Sequence, residues 1–174
     1  ERLVASCTSA VAQEVEALAE LEMAPLEVDL PLPRITYDEA VEIASAKVDI
    51  VWGDDLSMEA TRTLAEQYGG FYFITKWPLA LKPFYIQPEG EKHSKGFDFM
   101  FREVEMTSGG QRVHDVALLE QRLREQGLDP KEFGHYLEPF RYGMPPHGGW
   151  GLGLDRLAMV FSGAQNVREC VLFP

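Results

Sequence analysis

The chain has 174 residues, and its 28 acidic and 16 basic side chains give a formal net charge of −12. Hydrophobic residues make up 45% of it, enough for one domain with a sizeable core, which excludes wholesale disorder. The acidic balance argues against a broad nucleic-acid-binding surface, because contacts to a phosphate backbone need clustered Lys and Arg. Two cysteines are too few for a disulfide framework or a cysteine-based zinc site. No apolar run approaches the roughly 20 residues of a membrane span, so we expect a cytoplasmic protein with no membrane contact.

The two ends of the chain carry features of an internal segment. The sequence starts at Glu1 without an initiator methionine, directly on a helical pattern, and it stops on the apolar residues before Pro174. We therefore expect a piece of a longer protein.

The first third of the chain predicts two helices, a connector and a short strand. Three prolines favour an extended connector over residues 25–33, and Thr36 with Glu39 forms a capping box for a helix over residues 37–47. A short strand is expected over residues 47–52. The first helix is indicated by apolar side chains at helical spacing, namely Leu3, Val4, Cys7, Val11, Val15 and Leu18.

The middle of the chain is rich in aromatic and β-branched residues, which predicts strands. We expect a helix over residues 58–68, closed by two glycines, and strands over residues 71–77 and 83–87. A polar loop over residues 88–96 then precedes a pair of strands within residues 97–107.

The last third predicts helices over residues 116–126 and 130–141, then a glycine-rich strand over residues 149–154 and a helix over residues 155–162. Helices alternate irregularly with strands, and the strands are not the continuous apolar runs of a parallel sheet. The expected fold class is therefore α+β, with a mainly antiparallel sheet flanked by helices.

The strand pair predicts a group of acidic side chains on one face. If Arg102 and Glu103 form a two-residue turn, Asp98 and Glu105 become diagonal neighbours, close enough to share a hard cation such as Mg²⁺. Arg-Glu is not a favoured hairpin turn, and a solvated acidic face is an equally good interpretation of the pattern. The predicted face carries Asp98, Met100, Glu105 and Thr107, and the opposite face carries Phe99, Phe101, Val104 and Met106.

Two glycine-rich segments follow. Gly109 and Gly110 would let the backbone approach a ligand, and Arg112 offers a planar fork suited to a carboxylate, although a surface arginine is the simpler interpretation. In the segment over residues 148–157, alternating glycines leave a flat floor for a planar ring, with Arg156 beside it to meet a base or a phosphate. Tight strand-to-helix packing would demand the same glycines.

Residues 144–159, which read Met-Pro-Pro-His-Gly-Gly-Trp-Gly-Leu-Gly-Leu-Asp-Arg-Leu-Ala-Met, closely resemble motif 3 of the class II aminoacyl-tRNA synthetases. The similarity is strongest to the aspartate, asparagine and lysine subclass. Residues 77–78, 82–85, 97–98 and 105–112 occur in the order found in archaeal-type aspartyl-tRNA synthetases.

This resemblance implies a partial class II catalytic fold, with residues 1–174 as the C-terminal portion of the catalytic domain. Motifs 1 and 2 and the anticodon-binding domain have no counterpart in the chain. Because motif 2 carries the arginine that grips the α-phosphate, we expect the 174-residue chain alone to be inactive. The full-length protein is expected to be a homodimer.

The implied activity is ATP-dependent activation of aspartate, followed by transfer to tRNA, and Mg²⁺ is the implied cofactor. tRNA would bind mainly through the missing N-terminal part. The alternatives are an asparaginyl-tRNA synthetase and a synthetase-related asparagine synthetase. Lys82 stands where many relatives carry arginine. By family similarity Glu105 and Arg156 are catalytic; the metal ligands are Asp98, Glu105 and Ser108; aspartate is bound by Ser108 and Arg112; and ATP is bound by Glu105, Gly153, Leu154, Asp155 and Arg156.

Overall fold

A five-stranded sheet is the frame of the structure, a computed structural model that describes residues 1–20 and 25–174. The strands are β1 Arg34–Thr36, β2 Phe71–Thr75, β3 Pro88–Glu89, β4 His93–Ser94, β5 Gly96–Phe101, β6 Val104–Gln111 and β7 Gly148–Leu152. The sheet has the order β1-β2-β5-β6-β7, while β3 and β4 pair with each other. Only β1 and β2 pair in parallel within the sheet. The predicted α+β class with a mainly antiparallel sheet is confirmed.

Helices flank the sheet and follow most of the predicted positions. The Thr36 hydroxyl accepts from the Glu39 amide at 3.2 Å, and Glu39 accepts from the Thr36 amide at 2.7 Å, so the capping box forms. Gly69 closes α4 in the left-handed conformation, with φ of 63°. The helices are α1 Arg2–Val11, α2 Val15–Glu20, α3 Tyr37–Ser45, α4 Met58–Tyr68, α5 Val116–Glu125, α6 Gly134–Arg141 and α7 Leu154–Ser162; Leu79–Leu81 and Val167–Cys170 are 3₁₀ turns.

Several predicted elements are wrong. The first helix is two helices, because tight turns from Gln13 to Ala10 and from Glu14 to Val11 interrupt the helical hydrogen bonds. Residues 47–52 form no strand, since Trp52 donates to the Asp38 carboxylate at 2.6 Å instead of joining the sheet. Residues 83–87 form no strand either: Ile86 makes an isolated bridge with Arg112, and the Gln87 amide donates to the carbonyl of Gln111 at the end of β6.

The β5–β6 hairpin turns at Arg102 and Glu103, as predicted, and Arg102 adopts a positive φ of 52° there. The pairs nearest the turn also match the prediction, with Met100 opposite Glu105. A β-bulge then shifts the register, so that Asp98 lies opposite Ser108 instead of Thr107.

Apolar clusters cover both faces of the sheet. On one face Phe71 and Phe99 stack with their ring centres 5.4 Å apart, and Met106 packs in the same cluster. On the other face Ile74 and Met100 pack with side chains of α3 and α4. Among the residues that the structure describes, no helix is long and apolar enough to cross a bilayer.

Candidate active site

A cavity of about 450 Å³ opens at the β7 end of the sheet, where β6 and β7 meet the segment over residues 82–86. Three predicted site residues line it together: Glu105 and Ser108 of β6, and Arg112, which directly follows β6. The remaining wall comes from Lys82, Pro83, Tyr85, Ile86, Gly109, Trp150 and Gly151. The structure therefore brings two predicted metal ligands, Glu105 and Ser108, and the predicted substrate residue Arg112 to one opening.

The bulge in β6 is what gathers these side chains. Met106 packs in the cluster around Phe99, and Thr107 lines an apolar cavity that also includes Phe99. Two consecutive residues thus lie on the same side, and Ser108 joins Glu105 on the other. The prediction that Thr107 shares a face with Asp98 and Glu105 is wrong for this reason, because it assumed regular alternation.

Arg112 is held between an aromatic ring and a glycine. Its guanidinium carbon lies 4.5 Å from the centre of the Tyr85 ring. On the other side a Cβ placed on Gly149 would lie 2.8 Å from Nη2 of Arg112 and 3.0 Å from its Nε. The backbone amide of Arg112 donates to the carbonyl of His147 at 2.9 Å, which fixes the base of the side chain. The Tyr85 ring and the backbone at Gly149 therefore restrict the position of the Arg112 guanidinium.

Glu105 and Arg156 contact each other. Nη1 of Arg156 donates to the backbone carbonyl of Glu105 and lies 3.8 Å from its carboxylate. Burial and the carboxylate of Asp98 raise the pKa of Glu105, while Arg156 and Lys82 oppose that rise. The predicted catalytic pair is thus adjacent, with a carboxyl group that resists ionisation.

Asp98 lies in a second cavity of about 340 Å³, which Glu105 and Lys82 also line. Both oxygens of Asp98 accept from the Nζ of Lys82, at 2.9 and 2.8 Å. The Asp98 side chain is only 5% exposed and that of Lys82 only 10%. Asp98, a predicted metal ligand, is therefore paired with a buried lysine, and the sequence did not indicate this pairing.

The junction of β7 and α7 places the remaining predicted ATP residues at the rim. Gly153 precedes α7, and a Cβ on it would lie 3.3 Å from Cδ of Arg156, so this glycine leaves room for the arginine stem. Leu154 is 72% exposed, Asp155 is also exposed, and neither lines the cavity.

Two residues of this site were missed as functional candidates by reasoning on the sequence. Lys82 was noted only as a departure from relatives, although a lysine inside the apolar stretch of residues 77–86 is a usable signal for a buried pair. Tyr85 gave no signal, because its place under Arg112 depends on backbone hydrogen bonds between residues 85–87 and 111–113.

The donor set suits a hard divalent cation in part. Glu105 and Ser108 supply a carboxylate and a hydroxyl, which are oxygen ligands of the kind Mg²⁺ accepts. Asp98 is less suitable, since Lys82 already occupies both of its oxygens. Within residues 1–20 and 25–174 no group of three or more His, Cys, Asp or Glu is arranged to hold a metal without other ligands.

Comparisons with known proteins show which sequence family the chain belongs to. Residues 1–174 match the sequence family described as tRNA synthetases class II (D, K and N). The chain belongs to that family. It is 50% identical to the aspartate–tRNA(Asp/Asn) ligase of Archaeoglobus fulgidus over 178 residues, covering 100% of this chain and 41% of the relative. It is 49% identical to the enzyme of the same name from Methanocaldococcus jannaschii, covering 93% and 37%.

A solved structure shows the same fold. The asparaginyl-tRNA synthetase of Pyrococcus horikoshii superposes with a TM-score of 0.86 at 33% identity, over 98% of this chain and 44% of that one. The chain thus spans about two fifths of the length of the class II synthetases it matches. The resemblance inferred from residues 144–159 is confirmed at the level of the family.

Proposed function

We propose that this chain is the C-terminal part of the catalytic domain of an aspartate–tRNA ligase. In the first step an oxygen of the α-carboxylate of aspartate attacks the α-phosphorus of ATP, and pyrophosphate leaves to give aspartyl-adenylate. In the second step a hydroxyl of the terminal ribose of tRNA takes the aspartyl group, and AMP leaves. The curated relatives, named aspartate–tRNA(Asp/Asn) ligase, support this assignment and favour a protein that serves both tRNAs.

The observation that carries the proposal is the position of Arg112 in the same cavity as Glu105 and Ser108. A guanidinium held by Tyr85 and Gly149 presents two parallel N–H donors, which match the side-chain carboxylate of aspartate. A lysine substrate would meet repulsion at the same place. The cavity therefore selects an acidic or amide side chain, and the charge favours aspartate.

ATP would lie against β7 and the start of α7. Gly151 offers open space over the strand, and Arg156 lies in the first turn of α7, against Gly153. Glu105 and Ser108 are the residues that would hold a Mg²⁺ ion, which would supply charge neutralisation for the phosphates. No side chain need act as a covalent nucleophile, because positioning and charge neutralisation supply the rate enhancement.

The wider assignments belong to the same proposal. ATP and Mg²⁺ are the expected co-substrate and cofactor, and tRNA would bind mainly outside this chain, whose net charge is −12. We expect the full-length protein to be a cytoplasmic homodimer. Size-exclusion chromatography and cell fractionation of the full-length protein test those two expectations.

The deciding experiment is ATP–pyrophosphate exchange and tRNA charging by the full-length protein with aspartate, asparagine and lysine. Aspartate should support both reactions. Arg112→Gln should reduce aspartate-dependent exchange by about 100-fold or more, since a charge-assisted bidentate contact of about 3 kcal/mol is lost. Arg62→Gln, at an exposed position of α4, is the matched control and should behave as wild type.

Two other functions would give distinct results. An asparaginyl-tRNA synthetase would charge asparagine and not aspartate, which the structural match to the Pyrococcus horikoshii protein makes worth measuring. A synthetase-related asparagine synthetase would convert aspartate, ATP and ammonia into asparagine without tRNA. Either result would replace the aspartate–tRNA ligase assignment.

A further inference from the structure

The Lys82–Asp98 pair is the most buried ion pair in the part of the chain that the structure describes, and it lies in the wall between the two cavities over the sheet. Lys82 lines both cavities, and Glu105 lines both as well. Asp98 and Ser108 lie directly opposite each other on β5 and β6. The pair thus shares its cavities with Glu105 and lies one strand away from Ser108, and these are the two residues that would hold a metal.

The surroundings of Lys82 fix its amino group against Asp98. Its Nζ lies 4.2 Å from the centre of the Trp77 ring, which adds a cation–π contact to the two hydrogen bonds. A Cβ on Gly96 would lie 3.3 Å from Cγ and 3.4 Å from Cε of Lys82, so the glycine leaves a channel for the stem. The backbone carbonyl of Lys82 accepts from Gln126 at 2.9 Å.

We propose that Lys82 is a positioning residue that withholds Asp98 from direct metal ligation and leaves Glu105 and Ser108 as the direct protein ligands. This inference rests on the proposed function. Mg²⁺ approaching Asp98 would have to displace an amino group that already satisfies both carboxylate oxygens. Lys82 also cancels the charge of Asp98 and so reduces the negative charge around the metal site. Because cation affinity depends on ligand charge, this lowers the affinity for Mg²⁺.

Replacing Lys82 and Asp98 together tests whether Asp98 is a direct metal ligand or only a carboxylate neutralised by Lys82. Replacing both members of a buried ion pair with apolar side chains of similar size is often tolerated, whereas removing one leaves an uncompensated charge. The double variant K82M/D98L is therefore expected to fold. Lys82→Met alone frees the carboxylate, and Lys82→Arg keeps the pair.

The probe is Mn²⁺, with its binding to the full-length protein followed by electron paramagnetic resonance, with and without a non-hydrolysable ATP analogue. We expect K82M/D98L and Lys82→Arg to bind Mn²⁺ within about threefold of wild type. Lys82→Met, if it folds, should bind Mn²⁺ about tenfold more tightly, because one more carboxylate reaches the cation; tenfold corresponds to about 1.4 kcal/mol. The Mg²⁺ concentration for half-maximal exchange should fall in parallel.

A loss of Mn²⁺ affinity of tenfold or more in folded K82M/D98L would show that Asp98 is a direct ligand and would overturn the inference. Unchanged or weaker binding in folded Lys82→Met would overturn it too. Arg122→Met is the control for a purely structural role, since Arg122 is a buried cation paired with Glu125 on α5 and should change stability but not Mn²⁺ affinity.

These outcomes are distinct from failure of the proposed function. If the wild-type protein lacks aspartate-dependent exchange, the proposed function fails, whatever the metal measurements show. If wild type exchanges normally and the double variant loses the metal, only the role of Lys82 fails.

Discussion

The guanidinium carbon of Arg112 lies 4.5 Å from the centre of the Tyr85 ring, and a Cβ added to Gly149 would lie 3.3 Å from the same carbon. An aromatic face and a glycine together restrict a side chain that would otherwise sample many rotamers. Under the proposed function, less conformational entropy would then be lost when the aspartate carboxylate binds, so Gly149 of β7 would favour aspartate binding without touching the aspartate.

Gly149→Ala should therefore weaken aspartate binding. The new Cβ would lie 2.8 Å from Nη2 of Arg112, closer than such atoms approach, so the fork must move. Loss of a well-placed charge-assisted contact, about 1.5–3 kcal/mol, predicts a KM for aspartate about 10- to 100-fold higher in pyrophosphate exchange. The KM for ATP should change much less.

Gly151→Ala is the matched control for that measurement. Gly151 lies on the same face of β7, and a Cβ there meets no atom within 4 Å. Its KM for aspartate should stay within about twofold of wild type. An equal rise in both variants would mean that the glycine-rich floor, and not the slot for Arg112, determines aspartate affinity.

Gly109→Ala should destabilise the protein through the pairing of β6 with β7. Its Cβ would lie 2.5 Å from Cβ of Trp150 and 2.7 Å from the carbonyl of Gly149, and a backbone atom cannot move aside cheaply. Overpacking of this kind costs about 1–3 kcal/mol, so thermal unfolding should occur several degrees lower.

Gly134→Ala serves as the comparison for this loss of stability. Gly134 begins α6, and its Cβ would meet no atom within 4 Å. Alanine is favoured in helices by up to about 1 kcal/mol, so this variant should match or exceed wild-type stability. If Gly109→Ala were equally stable, the close approach of β6 and β7 would not be as described.

The ionised carboxylate of Glu105 is expected to lower the free energy of unfolding at neutral pH. Its pKa is raised in the folded state, so the penalty for ionising it is fully present above the folded pKa and absent below the unfolded pKa, near 4.5. Glu105→Gln should thus raise the unfolding temperature at pH 7 but not at pH 4, while losing Mg²⁺-dependent exchange. Glu89→Gln, at an exposed position on β3, should change neither property.

The 174-residue chain expressed alone should not form adenylate. The family resemblance implies that it carries Glu105, Ser108, Arg112 and Arg156 but not the motif 2 arginine that grips the α-phosphate. Circular dichroism should first establish that the isolated chain is folded, and exchange should then be measured with aspartate, ATP and Mg²⁺. A robust exchange rate from the folded chain would contradict this prediction.

Local patterns predicted the elements that depend on neighbouring residues. The capping box of Thr36 and Glu39 and the turn at Arg102 and Glu103 were both correct, because each is determined within a few residues. The strand predicted over residues 47–52 was wrong, since Asp38, which is distant in sequence, bonds to Trp52. The Lys82–Asp98 pair depends in the same way on a contact that spacing alone does not reveal.

The candidate site shows the same division. Glu105, Ser108 and Arg112 were found from motif resemblance, and the structure places all three at one cavity. Their individual roles in binding stay predictions. Regular strand alternation, however, placed Thr107 on the wrong face, because no residue type near Met106 marks the bulge.

The bulge in β6 also sets how this segment can change in length. Glu105 and Ser108 are three positions apart, and Ser108 and Arg112 are four apart, yet all three line one cavity. Two side chains an odd number of positions apart share a face of a strand only when an irregularity lies between them. Deleting one residue between Glu105 and Ser108 would leave both side chains on one face of a regular β6, whereas a deletion between Ser108 and Arg112 would turn the guanidinium away from the cavity. The insertion or deletion of one residue is thus compatible with the arrangement of the cavity between Glu105 and Ser108, but not between Ser108 and Arg112.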